Sequence, residues 1–378
     1  MTMNSRGMAC SYRTKPLYCM PMRVAGKQAA PLVSGAALSA PDETGIKSCV
    51  DHRQIFMNGI HALRRCLLLA CLCWSAAFAA YGADAERGSS VLLDKGGESM
   101  HYALELQAGS EPGILPGSVT FIGTATVLIR YGHLTILTDP NFLHKGDRAQ
   151  LGYGLEAERL TEPAIPFEQL PPIDLVVLSH MHGDHFDQLV QRKLDRRTPI
   201  VTNQQAAKKL GELGFGNVYA LATWDTLGVS KGDTLLRLTS LPGRHGPPLA
   251  SAMLPAVMGS MLEFSTGGKQ DYHLYISGDT LVYDDLREIP RRYPDIDLAL
   301  LHLGGTRVLG MKVTMDGEDG VQMLQLLAPA LAIPIHYNDY DVFKSPLSDF
   351  EKAAKAAGLQ HKIVHLKPGE SYRFATQR

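Results

Sequence analysis

The alternation of apolar and polar positions first becomes strand-like at Ser118. Val119-Thr120-Phe121-Ile122, Thr126 to Tyr131 and Leu134 to Leu137 are short β-branched and aromatic runs separated by Gly123 and by Tyr131-Gly132-His133, a pattern that predicts three strands joined by tight turns. Asp139-Pro140 ends the third. A polar, Gly-containing stretch, 86–116, precedes them as a lead-in. An irregular stretch, 141–172, follows, and loops of that length usually serve a purpose. Leu175 to Leu178 is then continuously apolar, as in a strand buried on both faces. Further along, the periodicity predicts helices over 184–194, 204–213, 281–288, 318–327 and 349–357. Strands are predicted at 200–201, 217–220, 234–241, 261–264, 273–277, 298–302, 331–335, 362–366 and 372–374. With no short-period repeat and no internal linker, this is one α/β domain over 117–378, with mixed sheets, helices outside and loops gathered at one edge. The second half loosely repeats the first, which suggests two facing sheets.

The first 85 residues read differently. Arg64-Arg65 precede an apolar run, 66–80, too short for a comfortable membrane span. Small-residue cleavage sites follow at Ala77-Phe78-Ala79 and Ala83-Asp84-Ala85. Segment 57–85 is therefore read as a signal peptide, which predicts a periplasmic or secreted mature form without a stable membrane span. Residues 1–56 show no sustained apolar periodicity and are read as an unstructured extension or an over-extended translation, with Met57 as the true start. All six cysteines lie before residue 80, so a mature form would have neither disulfides nor thiolate ligands. A metal site would then have to use imidazole and carboxylate. The net charge of −1 offers no basic excess for nucleic acid, which is excluded as a partner.

The chemistry concentrates in Leu178-Ser179-His180-Met181-His182-Gly183-Asp184-His185-Phe186-Asp187, where a buried strand gives way to a predicted helix. His180 and His182 are two apart on extended chain and share a face. Three imidazoles and a carboxylate within 180–185 would each need a partner once buried, so core packing is a poor explanation and metal binding a good one. The donor set suits zinc, with Mn²⁺ or Fe²⁺ as substitutes. These residues point in different directions, and further ligands are expected from distant strand ends. His245, Asp279 and His336 each stand just beyond a predicted strand.

The order and spacing of His180-x-His182-x-Asp184-His185, His245, Gly278-Asp279-Thr280 and His336 resemble the metallo-β-lactamase superfamily over about residues 118–374. The resemblance implies a four-layer αββα sandwich with two divalent metal ions at one edge. It implies that His180, His182 and His245 hold one ion, that Asp184, His185 and His336 hold the other, and that Asp279 bridges them. Gly123-Thr124-Ala125-Thr126, Leu137-Thr138-Asp139-Pro140, Thr314-Met315-Asp316 and Ile335-His336-Tyr337 look similar to a branch that includes N-acyl-phosphatidylethanolamine-hydrolysing phospholipases D and ascorbate-phosphate lactonases. The run Asn338-Asp339-Tyr340 departs from those phospholipases.

The expected function is thus that of an exported dinuclear hydrolase in which a metal-bridging hydroxide attacks a phosphodiester or ester-like bond. Asp184 would orient the nucleophile and carry its proton. A lactonase or an amide or ester hydrolase is the alternative, and a non-catalytic metal-binding protein a more distant one. Among the smaller signals, Asp139 reads either as a support for the site or as a plain turn residue. Asp187 and Asp316 read as helix N-terminal residues. His302 reads as a hydrogen-bonded core or pocket-lining histidine rather than a ligand. The uncharged, Met-containing stretch 247–258 reads as a lid or groove for the apolar part of a small-molecule or lipid-like substrate, or else as a buried loop.

Overall fold

The computed structural model describes residues 91–92, 100–107 and 115–374. The segment read as a signal peptide and the extension before it lie outside the described residues. Two large mixed sheets organise the chain. The larger has eight strands in the spatial order Val91–Leu92, His101–Leu106, Thr226–Lys231, Thr234–Leu241, Gly259–Thr266, Lys269–Ile276, Leu298–His302 and Leu331–Ile335. The smaller has seven: Val218–Leu221, Ile200–Asn203, Leu175–Val177, Leu134–Thr138, Thr126–Gly132, Leu115–Gly123 and Ser371–Arg373. The first half of the domain supplies most of the smaller sheet, and the last strand returns to close it against Leu115–Gly123.

Side-chain alternation explains the layering. Val127, Ile129 and Tyr131 from the smaller sheet share one core with Leu236, Leu238, Leu274, Leu298, Leu300, Ile333 and Ile335 from the larger, so these faces are packed on each other. The intervening residues point outward. Leu128, Leu137 and Val176 pack with Leu189 and Val190 of helix Gln188–Lys193 and with Ala206 and Leu210 of helix Gln204–Glu212. On the opposite side Met261, Tyr275, Ala299, Leu301 and Ala332 pack against Met323, Leu324 and Leu327 of helix Gly317–Leu327 and Phe350 and Ala354 of helix Leu347–Ala356. Three cores between four layers make the αββα sandwich that the resemblance implied.

Several elements differ from their predicted form. The helix expected over 184–194 begins only at Gln188, because Asp187 caps it, accepting from the Leu189 and Val190 N–H groups at 2.7 and 2.8 Å. Residues 183–186 form a turn, which leaves Asp184 and His185 free of helical geometry. The irregular stretch 141–172 contains a hairpin, Arg148–Gly152 with Leu155–Glu158, turning at Gly152-Tyr153-Gly154. Within the expected lead-in, His101–Leu106 is a strand running parallel to Thr226–Lys231, itself not predicted. The strand expected over 362–366 is reduced to an isolated bridge between Ile363 and Ala332.

Candidate metal centre

Every donor singled out in the sequence sits at the carboxyl end of a strand, and those ends meet at one edge of the sandwich. Leu134–Thr138 and Leu175–Val177 run parallel and deliver Asp139 and the 180–185 cluster. In the other sheet Lys269–Ile276, Leu298–His302 and Leu331–Ile335 run parallel and deliver Asp279, His302 and His336. Thr234–Leu241 is separated from Lys269–Ile276 by one antiparallel neighbour, so it points the same way and delivers His245. Ligand sites of open α/β sheets favour this edge.

The seven residues gather into two adjacent groups. In the first, one donor atom each from His180, His182 and His245 lies within 4.8 Å of the others; in the second the same holds for Asp184, His185, Asp279 and His336. Asp279 spans the two. Its Oδ2 is 3.4 Å from His185 Nε2 and 4.0 Å from His245 Nε2, while Oδ1 is 3.6 Å from His336 Nε2. Asp184 Oδ2 is 3.4 Å from His336 Nε2.

The ring orientations are held from behind. His245 Nδ1 lies 2.8 Å from the Val313 carbonyl and His336 Nδ1 3.0 Å from the Leu303 carbonyl, so each donates its proton outward and turns the Nε2 lone pair inward. His185 Nδ1 lies 3.3 Å from Asp139 Oδ2, with the same result. His180 Nδ1 lies 3.0 Å from Ser179 Oγ, and its Nε2 faces His182 Nδ1 at 3.0 Å. Lone pairs aimed at each other that closely repel unless a proton or a cation lies between them. His336 itself has φ +61°, a left-handed conformation rare for a side chain of its size, secured by donation of its N–H to the Thr124 carbonyl at 2.6 Å.

Whether these residues fit metal ions is decided by what they leave unsatisfied. Among the described residues, ten buried side-chain nitrogen and oxygen atoms lack a hydrogen-bond partner, and four of them are Asp184 Oδ1, His185 Nε2, Asp279 Oδ1 and His336 Nε2. Such atoms are costly in a protein interior, and their concentration in one cluster of hard and borderline donors fits divalent cations. Electrostatics agree. Burial lowers the pKa of His180 well below its usual value and brings that of His182 to about 3; burial also lowers that of His245, keeping all three neutral at pH 7. Burial opposes charge on His185 and His336 too, but Asp279 and Asp184 outweigh it and raise both. Asp279 is held well below the carboxylate range against its own burial, by His336 and His185.

Asp139 supports the site: its Oδ1 accepts the Ser179 N–H at 2.7 Å and its Oδ2 faces His185 and His302. Asp187 is a helix cap, and its Oδ2 also accepts the Leu143 N–H at 3.0 Å. Asp316 caps its helix in a reciprocal box with Asp319. His302 is fully buried and hydrogen-bonded. Sequence reasoning missed Asn141 and Arg159. The Asn141 amide donates to the Gly183 carbonyl at 3.0 Å, and its Oδ1 accepts from Tyr340 Oη and from the buried Arg159 guanidinium, tying the cluster turn to the loop after His336. A lone buried arginine leaves no periodic trace; the length of 141–172 was the only available signal.

Gly183 packs against backbone with no room to spare. Its N–H donates to the Gln150 carbonyl at 2.9 Å, and an added Cβ would meet Gln150 backbone N and O at 2.5 and 2.7 Å. Gly183→Ala is therefore expected to cost about 1–3 kcal/mol by overpacking. Thermal denaturation should show a lower midpoint and metal titration a weakened site; an unchanged midpoint would mean that the hairpin yields freely.

A site of this composition at this edge of this sandwich defines a class of metalloproteins, and comparison with known proteins places the chain within it. The model of a beta-lactamase superfamily domain matches residues 135–337. A "UPF0173 metal-dependent hydrolase" of Archaeoglobus fulgidus is 30% identical over 267 residues, covering 68% of this chain and 98% of the relative. "UPF0173 protein YddR" of Bacillus subtilis is 26% identical over 265 residues, covering 68% and 100%. Among solved structures, an isothiocyanate hydrolase from Delia radicum gut bacteria superposes with TM-score 0.59 at 22% identity, covering 68% of this chain and 99% of that one. A possible metal-dependent hydrolase from Veillonella parvula superposes with TM-score 0.58 at 20% identity, covering 69% and 100%. The chain belongs to the metallo-β-lactamase superfamily, and it is a metal-dependent hydrolase of that fold.

Proposed function

We propose that the centre is dinuclear. His180, His182 and His245 would hold one divalent ion, Asp184, His185 and His336 a second, and Asp279 would bridge them. Zinc is the metal best matched to the donors, with Mn²⁺ or Fe²⁺ as substitutes. The observation that carries this reading is the quartet of unsatisfied buried atoms beside a trio of neutral imidazoles. Bound ions would bring the pKa of a shared water towards neutrality and polarise the electrophile under attack. The remaining work falls to the chain. Asp184 Oδ1 is unpartnered and buried, placed to accept the proton of the attacking water and return it to the leaving group. Asp279 keeps both sets of imidazoles in register, and Asp139 keeps His185 turned inward. Metal analysis of the purified protein should find two equivalents, and a panel containing bis-p-nitrophenyl phosphate, lactones and esters should find hydrolysis. Two equivalents with no turnover of any panel member would refute the assigned bond class.

The substrate we infer is a small molecule with a phosphodiester or ester-like bond and a large apolar part, a lipid-like molecule included. Support comes from the rim. Of nine exposed large hydrophobic side chains among the described residues, five (Tyr153, Leu155, Met253, Leu309 and Met311) stand on three segments anchored at the centre. The 148–158 hairpin is pinned to Gly183, 247–257 follows His245, and the hairpin of Arg307–Val308 with Met311–Lys312 leads into Val313, whose carbonyl takes the His245 proton. Tyr153 Oη joins two of them by donating to the Met253 carbonyl at 2.6 Å. The stretch 247–258 is in part a short helix, Pro248–Ser251, rather than an open loop. Replacing Met253 and Leu309 together by Ser should raise KM severalfold for long-chain p-nitrophenyl esters and leave short-chain esters unchanged, because each buried methylene contributes about 0.8 kcal/mol. Equal effects on both chain lengths would remove the rim from substrate choice.

We further propose export by the 57–85 signal, on the strength of its charge and hydropathy pattern; no helix among the described residues is long and apolar enough to cross a membrane. N-terminal sequencing of the exported form should begin near Ala80 or Glu86. Recovery of Met1 there would overturn it.

A further inference from the structure

Behind the second donor group lies a buried chain of polar side chains, of which the mechanism above uses only Asp139. His302 ends the strand Leu298–His302, between the strand ends that deliver Asp279 and His336, and is wholly inaccessible. Its Nε2 is 3.3 Å from Asp139 Oδ2, the same oxygen that faces His185 Nδ1 at 3.3 Å. Its Nδ1 is 3.1 Å from Ser277 Oγ, and Ser277 Oγ also accepts the His302 backbone N–H at 2.9 Å. The rings of His185 and His302 lie 5.9 Å apart and nearly parallel, with an interplanar angle of 12°.

A carboxylate only accepts, so Nε2 of His302 carries hydrogen towards Asp139. A neutral imidazole then has a bare Nδ1 3.1 Å from the Ser277 hydroxyl, whose single proton is shared between this nitrogen and the Gly278 carbonyl at 3.0 Å. Asp139 Oδ2 receives two N–H donors, one from each imidazole, while its Oδ1 is fixed by the Ser179 N–H. The carboxylate has no freedom left to rotate.

We propose that His302 is a positioning residue for the second metal ion. By occupying and orienting Asp139 together with Ser277, it locks His185 in the tautomer that presents Nε2 to the centre. This rests on the dinuclear reading above. It gives His302 no contact with either ion and places its effect on the second half-site first, because His245 is braced by Val313 and His180 by Ser179, whose hydroxyl is closer to His180 (3.0 Å) than to His185 (3.4 Å).

The test is a competitive Zn²⁺ titration of the chelator-stripped full protein, supplemented by Co²⁺ absorption spectra. His302→Leu removes the donor at similar bulk, and His302→Gln restores an N–H directed at Asp139. The second equivalent should bind His302→Leu about 10–100-fold more weakly, the range for loss of a ligand-orienting partner. The first should be unchanged, and His302→Gln should recover most of the loss. In the wild type, ¹⁵N histidine spectra should contain an Nε2–H signal that vanishes in His302→Gln; these spectra and Ser277→Ala keep the question open to test if His302→Leu does not fold. Equal weakening of both equivalents, equal loss in the Leu and Gln variants, an Nδ1–H tautomer, or a third wild-type equivalent lost with His302 would each overturn the proposal. A wild type that takes up only one equivalent would instead refute the dinuclear reading.

Discussion

Asp279→Ala is expected to lower kcat/KM by about a hundred- to a thousandfold, the loss seen when one stabilising donor leaves a preorganised site, and to reduce bound metal to one equivalent or fewer. The size follows from its place. Asp279 is the one member of the set whose oxygens approach His185, His245 and His336 alike, at 3.4, 4.0 and 3.6 Å. Its removal also leaves Thr314 Oγ1, which donates to Oδ2 at 3.2 Å, without that acceptor, and takes from His185 and His336 a carboxylate that raises their pKa. Asp279→Asn keeps the shape and one oxygen but not the charge, so it should retain fold and lose metal. Turnover and metal content measured on the same samples decide the matter. An alanine variant with two equivalents and near-normal turnover would mean that Asp279 bridges nothing.

Acidification should destabilise the metal-free protein steeply below pH 6.5. His182 is buried, and its pKa falls from 6.5 to about 3, chiefly through burial and then through the neighbouring His245. The unfolded chain binds that proton at 6.5 and the folded one does not, so stability is full above 6.5 and is lost progressively as pH falls towards 3. At about 1.4 kcal/mol per pH unit, this residue alone removes a few kcal/mol by pH 4, and His180 and His245 shift in the same direction. His185 and His336 have raised pKa values, so their contribution is fully present below 6.5 and is lost only as pH rises through the folded value. They do not offset the acid loss. Denaturant unfolding of chelator-treated protein at pH 7 and pH 4.5 should differ by a few kcal/mol, and His182→Asn should flatten the slope. In the metal-loaded protein the same protons compete with cations for the same nitrogens, so acid should also release metal. Identical unfolding midpoints at the two pH values would contradict the burial argument.

The sequence was most legible where physics is local. The strands Thr234–Leu241, Leu298–His302 and Leu331–Ile335 match their expected bounds, because uninterrupted apolar runs in buried strands have few other solutions. All seven candidate donors were nameable because imidazoles and carboxylates at strand ends have few bland uses, and the fold brings their side chains together. What stayed hidden depends on partners far along the chain. The late helix start at Gln188 is set by the Asp187 side chain, which also accepts N–H groups from Phe142 and Leu143, some 45 residues earlier. The hairpin at 148–158 has only two short strands, and part of its anchorage is Gly183. His302 looked like an ordinary core histidine from its apolar neighbours; its role depends on Asp139, 163 positions away.

The carboxyl-end arrangement of the strands carries a consequence for biogenesis. Four of the seven candidate donors precede residue 190 and the other three are spread from 245 to 336, on strands of the opposite sheet. A growing polypeptide thus displays His180, His182 and His185 long before their counterparts exist, and contacts of such sequence separation form slowly. Cofactor acquisition must therefore be a late event in maturation. A nascent chain can hold an ion only weakly until the second sheet has docked.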